Sequence, residues 1–139
     1  MEMLKALLRS ITVGIGIARK PILIANFLTE HPVQENIQAG VVYIIHSSGH
    51  QKWAIFRCPG HEDEIIHLCL TGKQRPRWTV KTDWLGRPTI NPSVRQLEGS
   101  FAHFWVKDGN VEWCIDSGRG YKSRVARGNL TPRLSQIRT

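Results

Sequence analysis

No apolar run in the 139 residues approaches the roughly 20 that a membrane-spanning helix needs, which excludes a multi-span membrane protein. Cysteine is scarce. Three residues, an odd number, are too few to staple a small secreted domain. A chain of this length buries roughly two-thirds of its unfolded surface and needs no such scaffold. There is no internal repeat, no G-x-S-x-G elbow, no Walker loop and no H-E-x-x-H helix. Gly14-Ile15-Gly16 lacks the third glycine of a dinucleotide fingerprint. Lys5 and Arg9 precede an apolar stretch in the manner of a signal peptide, but Arg19-Lys20 stands where small residues should mark cleavage. The chain therefore reads as cytoplasmic, with no membrane partner.

Acidic residues are missing from one region. Residues 119–139 hold six basic side chains and no acidic one. The remaining 118 residues carry thirteen basic against eleven acidic groups, so most of the net +8 sits in this tail. A solvated tail is one reading and a contact with nucleic acid is the other. At the opposite end, Met3, Leu4, Leu7, Leu8 and Ile11 recur at helical spacing, and Pro21 ends any helix by Lys20. Three regions result: an N-terminal helical and apolar segment (1–35), a β domain (36–118) and a basic tail (119–139).

What the chain has in quantity is β texture. Residues 41–45 form a β-branched and aromatic run, and residues 52–57 return after a Ser-Ser-Gly-His turn. Residues 64–70 and 78–82 give further strands, and Thr89-Ile90 resumes until Pro92 stops regular pairing. Asp108-Gly109 is a favoured two-residue hairpin turn. It sets the pairs Val106–Val111, Trp105–Glu112, Phe104–Trp113 and His103–Cys114. Phe104, Val106, Val111 and Trp113 then share a core face, and His103, Trp105, Glu112 and Cys114 the other.

That register opposes His103 and Cys114 at a Cβ separation of about 5 Å. Cys58-Pro59-Gly60-His61 is a C-x₂-H knuckle whose Pro and Gly suit a tight turn. Cys58, His61, His103 and Cys114 together make a Cys₂His₂ set suited to a structural Zn²⁺ with no open position for substrate water. His67 and Cys69 share a strand face and are a minor alternative source of ligands. The expected fold is mainly β with minor α: a small antiparallel sheet closed by a zinc knuckle.

The order of motifs resembles a bacterial family of small zinc-binding domains of unknown function, often encoded beside ubiquitin-like proteins and E1- and E2-like enzymes. The matching stretches are Gly40-Val41-Val42-Tyr43, Phe56-Arg57-Cys58-Pro59-Gly60-His61, Arg75-Pro76-Arg77-Trp78, residues 86–94, and His103-Phe104-Trp105-Val106 through Val111-Glu112-Trp113-Cys114. The family knuckle often reads Cys-Pro-Cys-Gly-Cys, here reduced to Cys58 and His61. The family's Cys-x-Ser-His is here Ser100-Phe101-Ala102-His103.

The resemblance implies a role in ubiquitin-like conjugation. The partners would be a ubiquitin-like protein and E1- or E2-like enzymes, and the activity a peptidase that trims or removes the modifier after its C-terminal glycine. Ser93 is then the nucleophile, with Trp78 and Trp105 beside the substrate's extended tail. A serine needs a base to take its proton. His103 is the family-matched candidate, but it cannot serve both a metal and Ser93. The alternative is a non-catalytic zinc module that contacts nucleic acid or a ubiquitin-like or E1 partner.

Overall fold

The computed structural model of the chain describes residues 2–14, 22–73 and 75–119. A helix, α1 (Glu2–Gly14), precedes strand β1 (Ile24–Leu28) and a 3-10 turn (Gln34–Asn36). There follow β2 (Val41–Ser47), β3 (His50–Cys58), β4 (His61–Cys69), β5 (Thr79–Thr82), β6 (Pro88–Arg95), β7 (His103–Lys107) and β8 (Asn110–Trp113). The fold is mainly β with one helix. It has two four-stranded sheets, in the orders β1-β2-β3-β4 and β5-β6-β7-β8, where the strand pattern alone suggested one. All pairings are antiparallel except β1 with β2.

Local chemistry explains the hairpins. At β2–β3 the turn residues are Ser48 and Gly49, and at β7–β8 Asp108 and Gly109; all four have positive φ. That geometry matches the right-handed twist of the flanking strands. The β7–β8 register pairs Phe104 with Trp113, Trp105 with Glu112 and Val106 with Val111, as the Asp-Gly turn dictates.

The two sheets share one core. The first contributes Leu23, Ala25, Val42, Ile44, Ala54, Phe56, Cys58, Ile66 and Leu68, and the second Val80, Ile90, Val94, Ala102, Phe104 and Val106. Phe56 and Phe104 meet edge-on across the interface, with ring centroids 6.4 Å apart. Each such buried side chain contributes about 1.5–3 kcal/mol. The outer face of the first sheet carries a second cluster around Ile37, Tyr43, Ile45 and Ile55. Arg57 locks the covering segment there through bonds to the carbonyls of Ile37 (2.6 Å), Glu62 (2.8 Å) and Gln34 (3.1 Å).

Two local expectations change. Pro92 does not end β6. The strand runs on to Arg95, with a register shift between Ile90 and Val94 that leaves Asn91 and Pro92 exposed, so the missing proline N–H costs no ladder bond. Trp113 is not core but half exposed, because β8 is an edge strand; its ring packs edge-on against Phe104 at 5.4 Å.

The apolar run 22–28 is an edge strand of the first sheet, with Leu23 and Ala25 in the common core. Residues 15–21, where Pro21 is expected to end any helix by Lys20, and the basic tail from residue 120 lie outside the described residues. Among the described residues no helix is long and apolar enough to cross a membrane.

Candidate active site

The outer face of the second sheet gathers the polar chemistry. On β6, Ile90 and Val94 point into the core, which turns Ser93 and Arg95 outward. On β7, Phe104 and Val106 point inward, which turns His103 and Trp105 outward. Arg95 pairs with His103 in the ladder, and the His103 ring reaches diagonally to Ser93. Ser93 Oγ lies 3.0 Å from His103 Nε2. On the other side of the ring, Nδ1 lies 2.5 Å from Asp116 Oδ1. A carboxylate only accepts, so Nδ1 carries the proton and Nε2 is left as the acceptor for the Ser93 hydroxyl.

The rest of the site holds this chain of bonds in place. Arg95 Nη1 donates to Asp116 Oδ2 at 2.9 Å. Burial pushes the Arg95 guanidinium below its usual range, while neighbouring Cys114 works against that shift. The turn after β8 is bound back to the start of β7: Ser117 Oγ accepts from His103 N (3.0 Å), and Gly118 N donates to Phe101 O (2.9 Å). These bonds bring Asp116 to His103. Trp78 Nε1 donates to the Ser93 carbonyl at 3.2 Å.

The loop between β6 and β7 is anchored to the other sheet. Glu64 on β4 accepts from Ser100 N and Ser100 Oγ, both at 2.6 Å. Those bonds pull the Glu64 carboxyl below its usual range. Gly99, at φ +62°, makes the approach possible, since a Cβ there would collide with the carboxylate. Gln96 N then closes the loop on Ala102 O at 2.8 Å, one residue before His103.

The chain neighbours of Ser93 line two depressions, Val94 the first and Pro92 the second. Trp78, Arg75, Arg95 and residues of β4 line a cavity of about 460 Å³ that includes Val94. Trp105, Arg75, Arg77, Thr79, Asn91 and Pro92 line an open groove of about 500 Å³. Trp78 thus belongs to the first depression and Trp105 to the second.

The four donors expected on one zinc ion are not brought together. Cys114 N does donate to His103 O at 2.9 Å, so those two are neighbours. Cys58, however, is fully buried in the core that the two sheets share. Neither it nor His61 belongs to a converging group of donors with His103 and Cys114. Burial, with nearby Glu64 adding to it, pushes the Cys58 thiol up to about 11, the behaviour of a packed thiol. His61 is exposed at the start of β4. The set therefore does not fit a Cys₂His₂ zinc centre. Among the described residues, the donors that converge are His103, Cys114 and Asp116, whose ligand atoms lie within 4.8 Å of one another. His67 and Cys69 line the cavity beside Trp78, and Cys69 Sγ bonds to Thr71 O at 3.1 Å.

Asp116 and Arg95 were not singled out from the sequence. Asp116 lies in the turn after β8, where strand alternation gives no signal. Arg95 is two residues from Ser93 on the same strand face.

The family model described as BubE, bacterial ubiquitination-like system serine protease, matches residues 28–114. That span includes Ser93, Arg95, His103 and Cys114 and stops two residues short of Asp116. No curated protein and no solved structure matches the chain.

Proposed function

Since the chain belongs to the BubE family of bacterial ubiquitination-like system serine proteases, we propose that Ser93 is its nucleophile, His103 its general base and Asp116 the carboxylate that orients the base. The observation that carries this reading is the unbroken path from Ser93 Oγ to His103 Nε2 and from His103 Nδ1 to Asp116. The arrangement is the Ser-His-Asp relation of roles, reached here on a β-sandwich with the residues in the order Ser, His, Asp.

The chemistry follows from the atoms. Ser93 Oγ attacks the carbonyl carbon of the scissile bond as its proton passes to His103 Nε2. Asp116 stabilises the resulting imidazolium. Arg95, bonded to the second carboxylate oxygen, keeps the carboxylate aimed. The tetrahedral intermediate collapses as Nε2–H protonates the leaving amine, which leaves an acyl-serine. His103 then takes a proton from water, the hydroxide attacks the ester, and the acid product leaves with Ser93 Oγ reprotonated.

The substrate is the extended, glycine-ended tail of a ubiquitin-like protein, cut from a precursor or a conjugate. It crosses Ser93 between the Trp105 groove and the Trp78 cavity. Glycine suits this crossing because it lets a backbone approach a sheet face closely. Arg75 and Arg77 give the groove a positive rim.

The test is incubation of the full chain with a C-terminally extended ubiquitin-like precursor. Cleavage by the wild type and none by Ser93→Ala is the expected result; retained cleavage by Ser93→Ala sinks the reading. A stable complex with the modifier or an E1-like enzyme, without turnover by the wild type, replaces it with an adaptor. Binding to nucleic acid with a steep salt dependence replaces it with a basic module.

A further inference from the structure

Cys114 has no part in the serine chemistry, yet it stands beside it. Its backbone N–H bonds the His103 carbonyl, and the turn that follows returns Asp116 to the same spot. One ligand atom from each of His103, Cys114 and Asp116 lies within 4.8 Å of the other two, all in half-buried side chains. A thiolate, an imidazole and a carboxylate form a donor set for Zn²⁺, at bond lengths of about 2.3, 2.0 and 2.1 Å. Ligand atoms at tetrahedral corners with those bonds stand roughly 3.3–3.6 Å apart. Side-chain movement of about 1 Å closes the trio on an ion.

We propose that His103, Cys114 and Asp116 form an inhibitory zinc site. The proposal rests on the serine-protease reading of His103 and Asp116, because two of the three donors are the groups that Ser93 depends on. Bound zinc takes a ring nitrogen of His103 and the carboxylate oxygen that now holds the ring. The imidazole then cannot both stay aligned and accept the serine proton. Asp116 keeps its second oxygen on Arg95, so the carboxylate can bind the ion through one oxygen without abandoning that partner. Three protein donors leave the fourth position to water or Ser93 Oγ. The base and the metal ligand expected at His103 are thus two states of one site, and Cys114 is the residue that belongs to only one of them.

The experiment uses the full chain, freed of metal by a chelator, with Cys114→Ser and Cys114→Ala as variants. Co²⁺ titration reads the site spectroscopically. A thiolate-to-cobalt charge-transfer absorption is expected in the wild type and in Ser93→Ala, and is lost in both Cys114 variants. A fluorophosphonate probe then reads nucleophile activation without a protein substrate. Stoichiometric Zn²⁺ should slow wild-type labelling at least tenfold, with recovery on chelation. The Cys114 variants should label at the metal-free wild-type rate and respond to zinc less than twofold. Equal zinc inhibition of the Cys114 variants, or a cobalt spectrum without the thiolate band, overturns the proposal. Labelling of Ser93→Ala at the wild-type rate overturns the serine reading instead, and the cobalt spectrum still reports on the trio.

Discussion

Two pairs of histidine and cysteine sit at comparable places in the two sheets. Cys58 and His61 flank the β3–β4 turn of the first sheet, and His103 and Cys114 face each other at the open end of the β7–β8 hairpin in the second. As sequence the pairs look equivalent, and each invites a metal. In the structure they have opposite fates. Cys58 points into the shared core and becomes a packing group. His103 points away from that core and joins Ser93, Arg95, Cys114 and Asp116 on one face. The difference is one of strand parity. A donor is available to chemistry only where alternation turns it away from the apolar interior.

That contrast can be broken by substitution. The largest effects belong to the outward face of the second sheet. Ser93→Ala should lower the cleavage rate by about 10³-fold or more, equivalent to about 4 kcal/mol of barrier, with an unchanged melting temperature. Asp116→Asn should approach the same loss, read as kcat with KM little changed, because the amide can hold the ring in the wrong tautomer. Phe104→Ala, one residue from the base but inward, should instead cost about 3–5 kcal/mol of stability in denaturant unfolding.

Smaller effects separate the two donor pairs. Cys58→Ala should cost about 1 kcal/mol of stability and leave specific activity within about twofold. His61→Ala should change neither, because that ring is exposed. A large loss of activity in either variant would return the first-sheet pair to the site.

The smallest effect is a pH dependence at Glu64. Its carboxyl lies below its ordinary value of 4.5 in the folded chain, so its contribution to stability is present above that pH and fades as pH falls through the lowered value. Glu64→Gln should therefore lower the melting temperature by a few degrees at pH 7 and converge on the wild type as pH falls through that range, flattening the acid side of the profile.

Much of this was legible in the chain. The Asp108-Gly109 turn fixes the β7–β8 register, and through it the adjacency of His103 and Cys114. Ser93 is drawn into view only by the family resemblance, and its neighbourhood to His103 follows from the β6–β7 pairing. What could not be read is what depends on which sheet a strand joins. Nothing in residues 70–78 announces that the chain leaves one sheet and starts another, so Cys58 and His103 seemed free to meet. Asp116 lies beyond the last strand, where alternation no longer applies. Its position is set by Ser117 and Gly118 gripping the start of β7. Pro92 misled because a break in the ladder was taken for the end of a strand.

The bond from Glu64 to Ser100 also has a bearing on the order in which the fold is assembled. It is a handhold that the earlier half of the chain extends to the later half, and the loop it grips leads directly into the base. A ribosome delivers β4 well before β7, so the grip waits ready for the loop as it emerges. The loop before β7 thus takes its shape from a residue 36 positions upstream, in the other sheet.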